Sequence, residues 1–121
     1  MKVVVLGDGL LGTEIVKQTN WDYFSRKKDN FDFRLLSSYK DKLEKYDTII
    51  NCVALTDTYS SNKFDMYDVN FKSVTILSDY LAERNKKLVH ISTDYVYANS
   101  INQASEDDLP LISENWYTYY K

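Results

Sequence analysis

The sequence is poor in the residues that make special chemistry or special backbone: three glycines, one proline, one cysteine and one histidine among 121 residues. A single cysteine excludes an intrachain disulfide and gives no sign of an oxidising compartment. Cys52 lies in an apolar run, where a small core side chain is expected rather than a nucleophile. One histidine, His90, with no cysteine or carboxylate cluster beside it, does not make a metal site, so no metal is expected. So little glycine and proline excludes collagen-like and low-complexity chains. Neither sign of charge dominates: the net charge is −3, and Lys27–Lys28 and Lys86–Lys87 are isolated pairs rather than a basic face. Nucleic acid is therefore not an expected partner. The apolar run near the N-terminus, Val3-Val4-Val5-Leu6, is far too short for a signal peptide or a membrane span. No membrane association and a cytoplasmic location are expected.

What is present suits one globular domain. Hydrophobic residues make up 44% and charged residues 27%, enough for a single core in a chain of this length. Aromatics reach 15%, and eleven residues are tyrosine, most of them expected as half-buried packing residues with a wet hydroxyl.

Periodicity gives the order of elements. Val3–Leu6 is a β-branched run of the kind found in a strand covered on both faces. Leu11, Ile15 and Val16 predict a helix over 10–19. Residues 20–30 read as polar and irregular, and the alternation of Phe31, Phe33 and Leu35 predicts a second strand. A short turn of helix is expected within 37–46, then a third strand over 48–53. Phe64, Tyr67, Phe71, Val74, Leu77 and Leu81 recur at helical spacing and predict a long helix with that stripe as its core face, capped by Ser60, Ser61 or Asn62. A fourth strand is expected over 88–92. The resulting fold class is α/β, a Rossmann-like doubly wound parallel sheet. A full dinucleotide-binding fold has about six strands; here the sheet is expected to be truncated after about four. Residues 1–121 are then one incomplete NAD(P)-binding domain, with a C-terminal substrate domain outside it.

All three glycines fall in Gly7-Asp8-Gly9-Leu10-Leu11-Gly12, a G-x-G-x-x-G loop between the first strand and the first helix. The first permits a tight turn, the second lets backbone approach a pyrophosphate, and the third lets the helix pack closely. A dinucleotide is therefore the expected ligand. At the end of the expected second strand stands Leu36-Ser37-Ser38-Tyr39-Lys40, with no carboxylate for a ribose 2′-hydroxyl. Ser37 and Lys40 are candidates for a 2′-phosphate, which tilts the expectation from NAD towards NADP.

A carbonyl reductase needs an acid for the new alkoxide, and a tyrosine with a lysine four residues on along a helix supplies one. Tyr-x-x-x-Lys occurs three times: Tyr23/Lys27, Tyr59/Lys63 and Tyr117/Lys121. Only the last follows the fourth strand, whose end carries hydroxyls able to orient a carbonyl oxygen.

The glycine loop, Tyr46–Ala54, Asp68-Val69-Asn70, His90-Ile91-Ser92-Thr93-Asp94-Tyr95-Val96-Tyr97 and Tyr117/Lys121 together resemble the extended short-chain dehydrogenases/reductases. Within these the chain is most similar to the dTDP-4-dehydrorhamnose reductases and related NAD-dependent epimerase/dehydratase proteins. The resemblance implies a Thr93/Tyr117/Lys121 catalytic triad acting on a nucleotide sugar, a dTDP-4-keto-6-deoxy sugar in the nearest case. It implies that Gly7, Asp8, Gly9, Leu10, Leu11 and Gly12 hold the cofactor, with Cys52, Val53 and Ala54 near its adenosine and Ser92 alongside. Asp94-Tyr95 after Thr93 departs from the Asp-Glu pair of dehydratases and favours a reductase. The loop is one residue shorter than the family's G-x-x-G-x-x-G, and Thr118 stands where a glycine is usual. Asn70 fits either a water relay or a buried structural hydrogen bond. An open sheet edge would lead to homo-oligomers. Two other readings stand beside the enzyme: a non-catalytic dinucleotide-binding module, and an inactive truncated fragment.

Overall fold

The computed structural model describes residues 1–56 and 63–92. Four parallel strands form one sheet in the order β2-β1-β3-β4, with β1 Val3–Leu6, β2 Asp22–Phe24, β3 Thr48–Asn51 and β4 Lys87–His90. The order reverses direction between β1 and β3, which is the doubly wound, Rossmann-like arrangement expected from the sequence. β3 and β4 each end two residues earlier than expected.

Helix α1 spans Leu10–Thr19 and stops at Asn20, whose left-handed φ of 57° lets its N–H reach the Val16 carbonyl. Leu6, Val4 and Ile49 sit in the principal core with Tyr39, Leu43, Tyr46, Leu77 and Leu81. Val3 and Val5, also buried, alternate to the opposite face of the sheet.

Two expectations need correcting. The second strand is Asp22–Phe24, paired Val4↔Asp22 and Leu6↔Phe24, not 31–36. It is a three-residue edge strand whose side chains are exposed or half-buried, so no hydrophobic alternation marks it. The segment read as irregular also holds α2, Arg26–Asp29. Phe31 and Phe33 are buried, which accounts for their alternation, but they pack as an aromatic cluster within a turn. Phe31 meets Tyr39 edge-on at 4.6 Å, and Phe33 stacks on Tyr39 at 6.4 Å. A period of two reports alternating burial, and a turn can produce it without a sheet partner. The helical turn expected within 37–46 is present as α3, Leu36–Tyr39, followed by a 3₁₀ turn, Lys40–Leu43.

The second correction concerns the long helix. It runs as α4, Lys63–Met66, through a π-helical turn, Tyr67–Lys72, into α5, Ser73–Ala82. Its C-terminal half buries Leu77 and Leu81 as expected. Its N-terminal half buries Met66, Asn70 and Ser73, while Phe64, Tyr67 and Phe71 lie on the exposed side. The extra residue of a π turn rotates one half of the helix against the other, so one 3.6-residue stripe cannot describe both. Ser73 completes the turn: its N–H and its hydroxyl both donate to the Asp68 carbonyl, five residues back.

Candidate dinucleotide site

The site is built where β1 and β3 end side by side. Ligands of doubly wound sheets bind at this point, because the helices leaving adjacent strands diverge to opposite faces and open a crevice. Gly7 follows β1 with φ of 98°, and a side chain there would press on Val53 at 3.2–3.3 Å. Its N–H donates to the Phe24 carbonyl at 2.9 Å, fastening the loop to the end of β2. A β-carbon on Gly12 would overlap the Gly7 carbonyl oxygen and come within 3.6 Å of Cys52 Cβ. Gly12 thus sets how closely α1 can approach the two strand ends.

Gly9 is different. It is the N-cap of α1, and a β-carbon on it would meet nothing within 4 Å. No side chain caps the first turn of α1, so its N–H groups point into that open space with the positive end of the helix dipole. The loop holds its shape by its own bonds: Thr13 N–H donates to the Gly9 carbonyl at 2.9 Å and Thr13 Oγ1 to the Asp8 carbonyl at 2.7 Å. Leu10 is 96% exposed at the mouth, and Leu11 is exposed beside it.

The β3 side is equally fixed. Asn51 is fully buried; its Oδ1 accepts from Val53 N–H at 3.0 Å and its Nδ2 lies 3.3 Å from His90 Nδ1. Asn70 holds the next stretch by the Leu55 backbone, at 2.9 Å in both directions. Its amide therefore serves the buried structural bond weighed for it. His90 is a half-buried partner of Asn51 rather than an isolated base.

The fold brings together Gly7, Asp8, Gly9, Leu10, Leu11, Gly12, Cys52, Val53 and Ala54 at one edge of the sheet. Ser92 lies exposed past β4 at that same edge, just after Ile91, whose N–H bonds the Asn51 carbonyl. Ser37 and Lys40 do not join them. They ride on α3 and the 3₁₀ turn, and the Lys40 carbonyl accepts from Tyr80 in the last turn of α5, near where β4 begins. Their expected place at the end of β2 followed from the misplaced strand. Ser25 and Arg26 occupy it instead. Ser25 is the N-cap of α2: its Oγ accepts from Lys28 N–H, and Asp29 Oδ2, one residue beyond the position a capping box uses, accepts from Ser25 N–H. Thr93, Tyr117 and Lys121, with Ser60, Ser61 and Asn62, lie outside the described residues.

Two described tyrosines have displaced pKa values, and both move away from acid chemistry. Burial, then the Asp32 charge, holds the Tyr39 phenol well above its ordinary value. Burial, then the hydrogen bond to Asp22, pushes Tyr46 up to about 12. A hollow of about 580 Å3 near β2, lined by Phe24, Asp29, Asp41, Lys42, Glu44 and Lys45, mixes both signs of charge and lies apart from the glycine loop. No helix among the described residues is long and apolar enough to cross a membrane.

Solved structures share this fold. A hypothetical dTDP-4-dehydrorhamnose reductase from Sulfolobus tokodaii superposes with a TM-score of 0.84 at 24% identity, over 99% of this chain and 49% of that one. The Bacillus anthracis dTDP-4-dehydrorhamnose reductase, solved in complex with NADP, gives 0.81 at 23% identity, over 99% and 46%. MoeE5, solved with UDP-glucose and NAD, gives 0.82 at 20% identity, over 99% and 45%. The chain thus spans just under half the length of these proteins. No curated protein sequence matches it. Residues 1–117 match the family model described as the RmlD substrate binding domain, and the chain belongs to that family.

Proposed function

We propose that this chain is the NAD(P)-binding part of an oxidoreductase that acts on a nucleotide sugar, a dTDP-4-keto-6-deoxy sugar being the leading candidate. The observation that carries the reading is the contrast within one loop. Gly12 is required by packing, whereas Gly9 faces open space over the uncapped start of α1, at the divergence of β1 and β3. A pyrophosphate fits that cradle: it accepts from the free N–H groups, and a β-carbon at position 9 would take its place.

In this reading Gly7, Gly9 and Gly12 shape the cradle, Asp8, Leu10 and Leu11 form its rim, and Cys52, Val53, Ala54 and Ser92 line the rest of the cofactor's path. When bound, the nicotinamide supplies the hydride. Tyr117 donates the proton to the substrate oxygen, Lys121 stabilises the phenolate left behind, and the Thr93 hydroxyl holds the carbonyl oxygen in line. The NADP and NAD complexes of the related structures support the cofactor class, and the dTDP-4-dehydrorhamnose reductases among them support the substrate class.

Titration with NADPH and with NADH, followed by nicotinamide fluorescence, tests the reading. Saturable binding that disappears in Gly9→Val supports it. That variant should fold, since its side chain meets no protein atom within 4 Å at Cβ. Equal binding by Gly9→Val would reject the cradle. Tyr117→Phe tests the chemistry, on this chain or on one of its relatives' full length: turnover should vanish while cofactor affinity is kept. Self-association belongs to the same proposal, and a clean monomer by light scattering would count against it.

A further inference from the structure

β2 is an edge strand, and the outer side of such a strand is a row of backbone donors and acceptors able to pair with another chain. In a parallel ladder only alternate residues bond the neighbouring strand. Phe24 turns its carbonyl towards β1, accepting from Gly7 N–H at 2.9 Å. By the same alternation Tyr23, with Trp21 and Ser25 on either side of it, presents its backbone groups outward.

Those outward groups are taken one after another by the chain itself. Trp21 N–H donates to Thr19 Oγ1 at 3.2 Å. The Tyr23 carbonyl accepts from Lys28 Nζ at 3.0 Å, and the same ammonium lies over the Tyr23 ring, 4.0 Å from its centroid. Ser25 N–H donates to Asp29 Oδ2 at 3.1 Å. The Ser25 carbonyl accepts from Asp29 N–H at 3.0 Å and from Phe31 N–H at 3.4 Å. Helix α2 is thus folded back along the side of β2 where a further strand would pair. Its four residues are too few to hold a helix by themselves, so these bonds to the edge account for its presence there.

We propose that Lys28 and Asp29 close the outer edge of β2 against strand pairing, and that a second copy of this chain is the partner this edge takes once both side chains are removed. The edge is self-complementary. In an antiparallel pair centred on Tyr23, the two Tyr23 residues exchange both their N–H and carbonyl groups, and that carbonyl is the one Lys28 holds. The inference does not depend on the dinucleotide reading, and it directs the self-association proposed above to surfaces other than β2.

Light scattering over a concentration series, with hydrogen exchange at the Tyr23 amide followed by NMR, tests it on the 121-residue chain. In the native chain Tyr23 should exchange at a rate independent of protein concentration, whatever other surface the copies use. Lys28→Ala with Asp29→Ala should raise the apparent mass above that of the native chain and slow Tyr23 exchange about fivefold or more as concentration rises. Lys28→Arg, which keeps a donor for the Tyr23 carbonyl, should behave as the native chain does. Circular dichroism checks folding; if the double variant does not fold, Lys28→Ala alone, which leaves the Ser25 bonds in place, is read by the same two measurements. Concentration-dependent protection of Tyr23 in the native chain would mean that the edge is already open, and overturns the proposal. So does a folded variant that matches the native chain in mass and exchange, or one that associates further without protecting Tyr23.

Discussion

Asn70 grips Leu55 by both faces of its amide: Nδ2 donates to the Leu55 carbonyl and Oδ1 accepts from the Leu55 N–H, each at 2.9 Å. Asn70 is buried in the π-helical turn, so an unusual stretch of helix fixes the backbone leaving β3. Asn70→Ala should lower stability by about 2 kcal/mol, the cost of leaving these two backbone groups without their partner. Urea denaturation measures it. Asn70→Asp loses the donor, sets a buried carboxylate oxygen against the Leu55 carbonyl oxygen, and should cost at least as much as Asn70→Ala.

Glycine substitutions should separate packing from binding. Gly12→Ala drives a β-carbon into the Gly7 carbonyl oxygen, with no flexible side chain to give way. A loss of about 3 kcal/mol or more is expected, seen as a lowered Tm or failure to fold. Gly9→Val should melt within a few degrees of the native chain and show its effect only when a dinucleotide is titrated. The reverse ranking would remove the basis for the cradle.

The π turn can be tested by which face carries stability. Met66 is 1% exposed and Phe64 75% exposed. Met66→Ala should therefore cost about 3 kcal/mol, and Phe64→Ser no more than about 0.5 kcal/mol in either direction. An uninterrupted α-helix with Phe64 on its core face predicts the opposite order in a denaturant titration.

Alkaline pH should unfold the chain partly through Tyr46. Its phenol donates to Asp22 Oδ2 at 2.6 Å, and its pKa in the fold is about 12 against an ordinary 10.0. The folded state binds this proton more tightly, so the contribution is complete below pH 10. It is lost as pH rises towards 12, because the unfolded chain releases the proton first. Stability measured across pH 9–12 should fall less steeply in Tyr46→Phe, which has no phenolic proton to lose.

Much of the architecture was legible in local pattern. The Val3–Leu6 run, the glycine loop and the spacing of Leu11, Ile15 and Val16 gave β1 and α1 because each signal is made within a few residues. Val4, Val5 and Leu6 are indeed fully buried between the layers. Leu77 and Leu81 read correctly for the same reason. β2 did not, because a half-exposed three-residue edge strand is defined by its hydrogen bonds to β1, and no side-chain pattern records a partner eighteen residues away.

The sequence by itself determined that there is a G-x-G-x-x-G loop, which strand it follows, and the family to which the chain belongs. Only the tertiary structure decided which glycine is structural and which is open, since that depends on whether the Gly7 carbonyl or empty space lies where a β-carbon would go. It also decided that Arg26, rather than Ser37 or Lys40, stands at the end of β2, and that Asp29 and Asp32 are already engaged there. Charge can be counted from a sequence. Which charges have neutralised one another depends on distances of about 3 Å, and those exist only after the chain has folded.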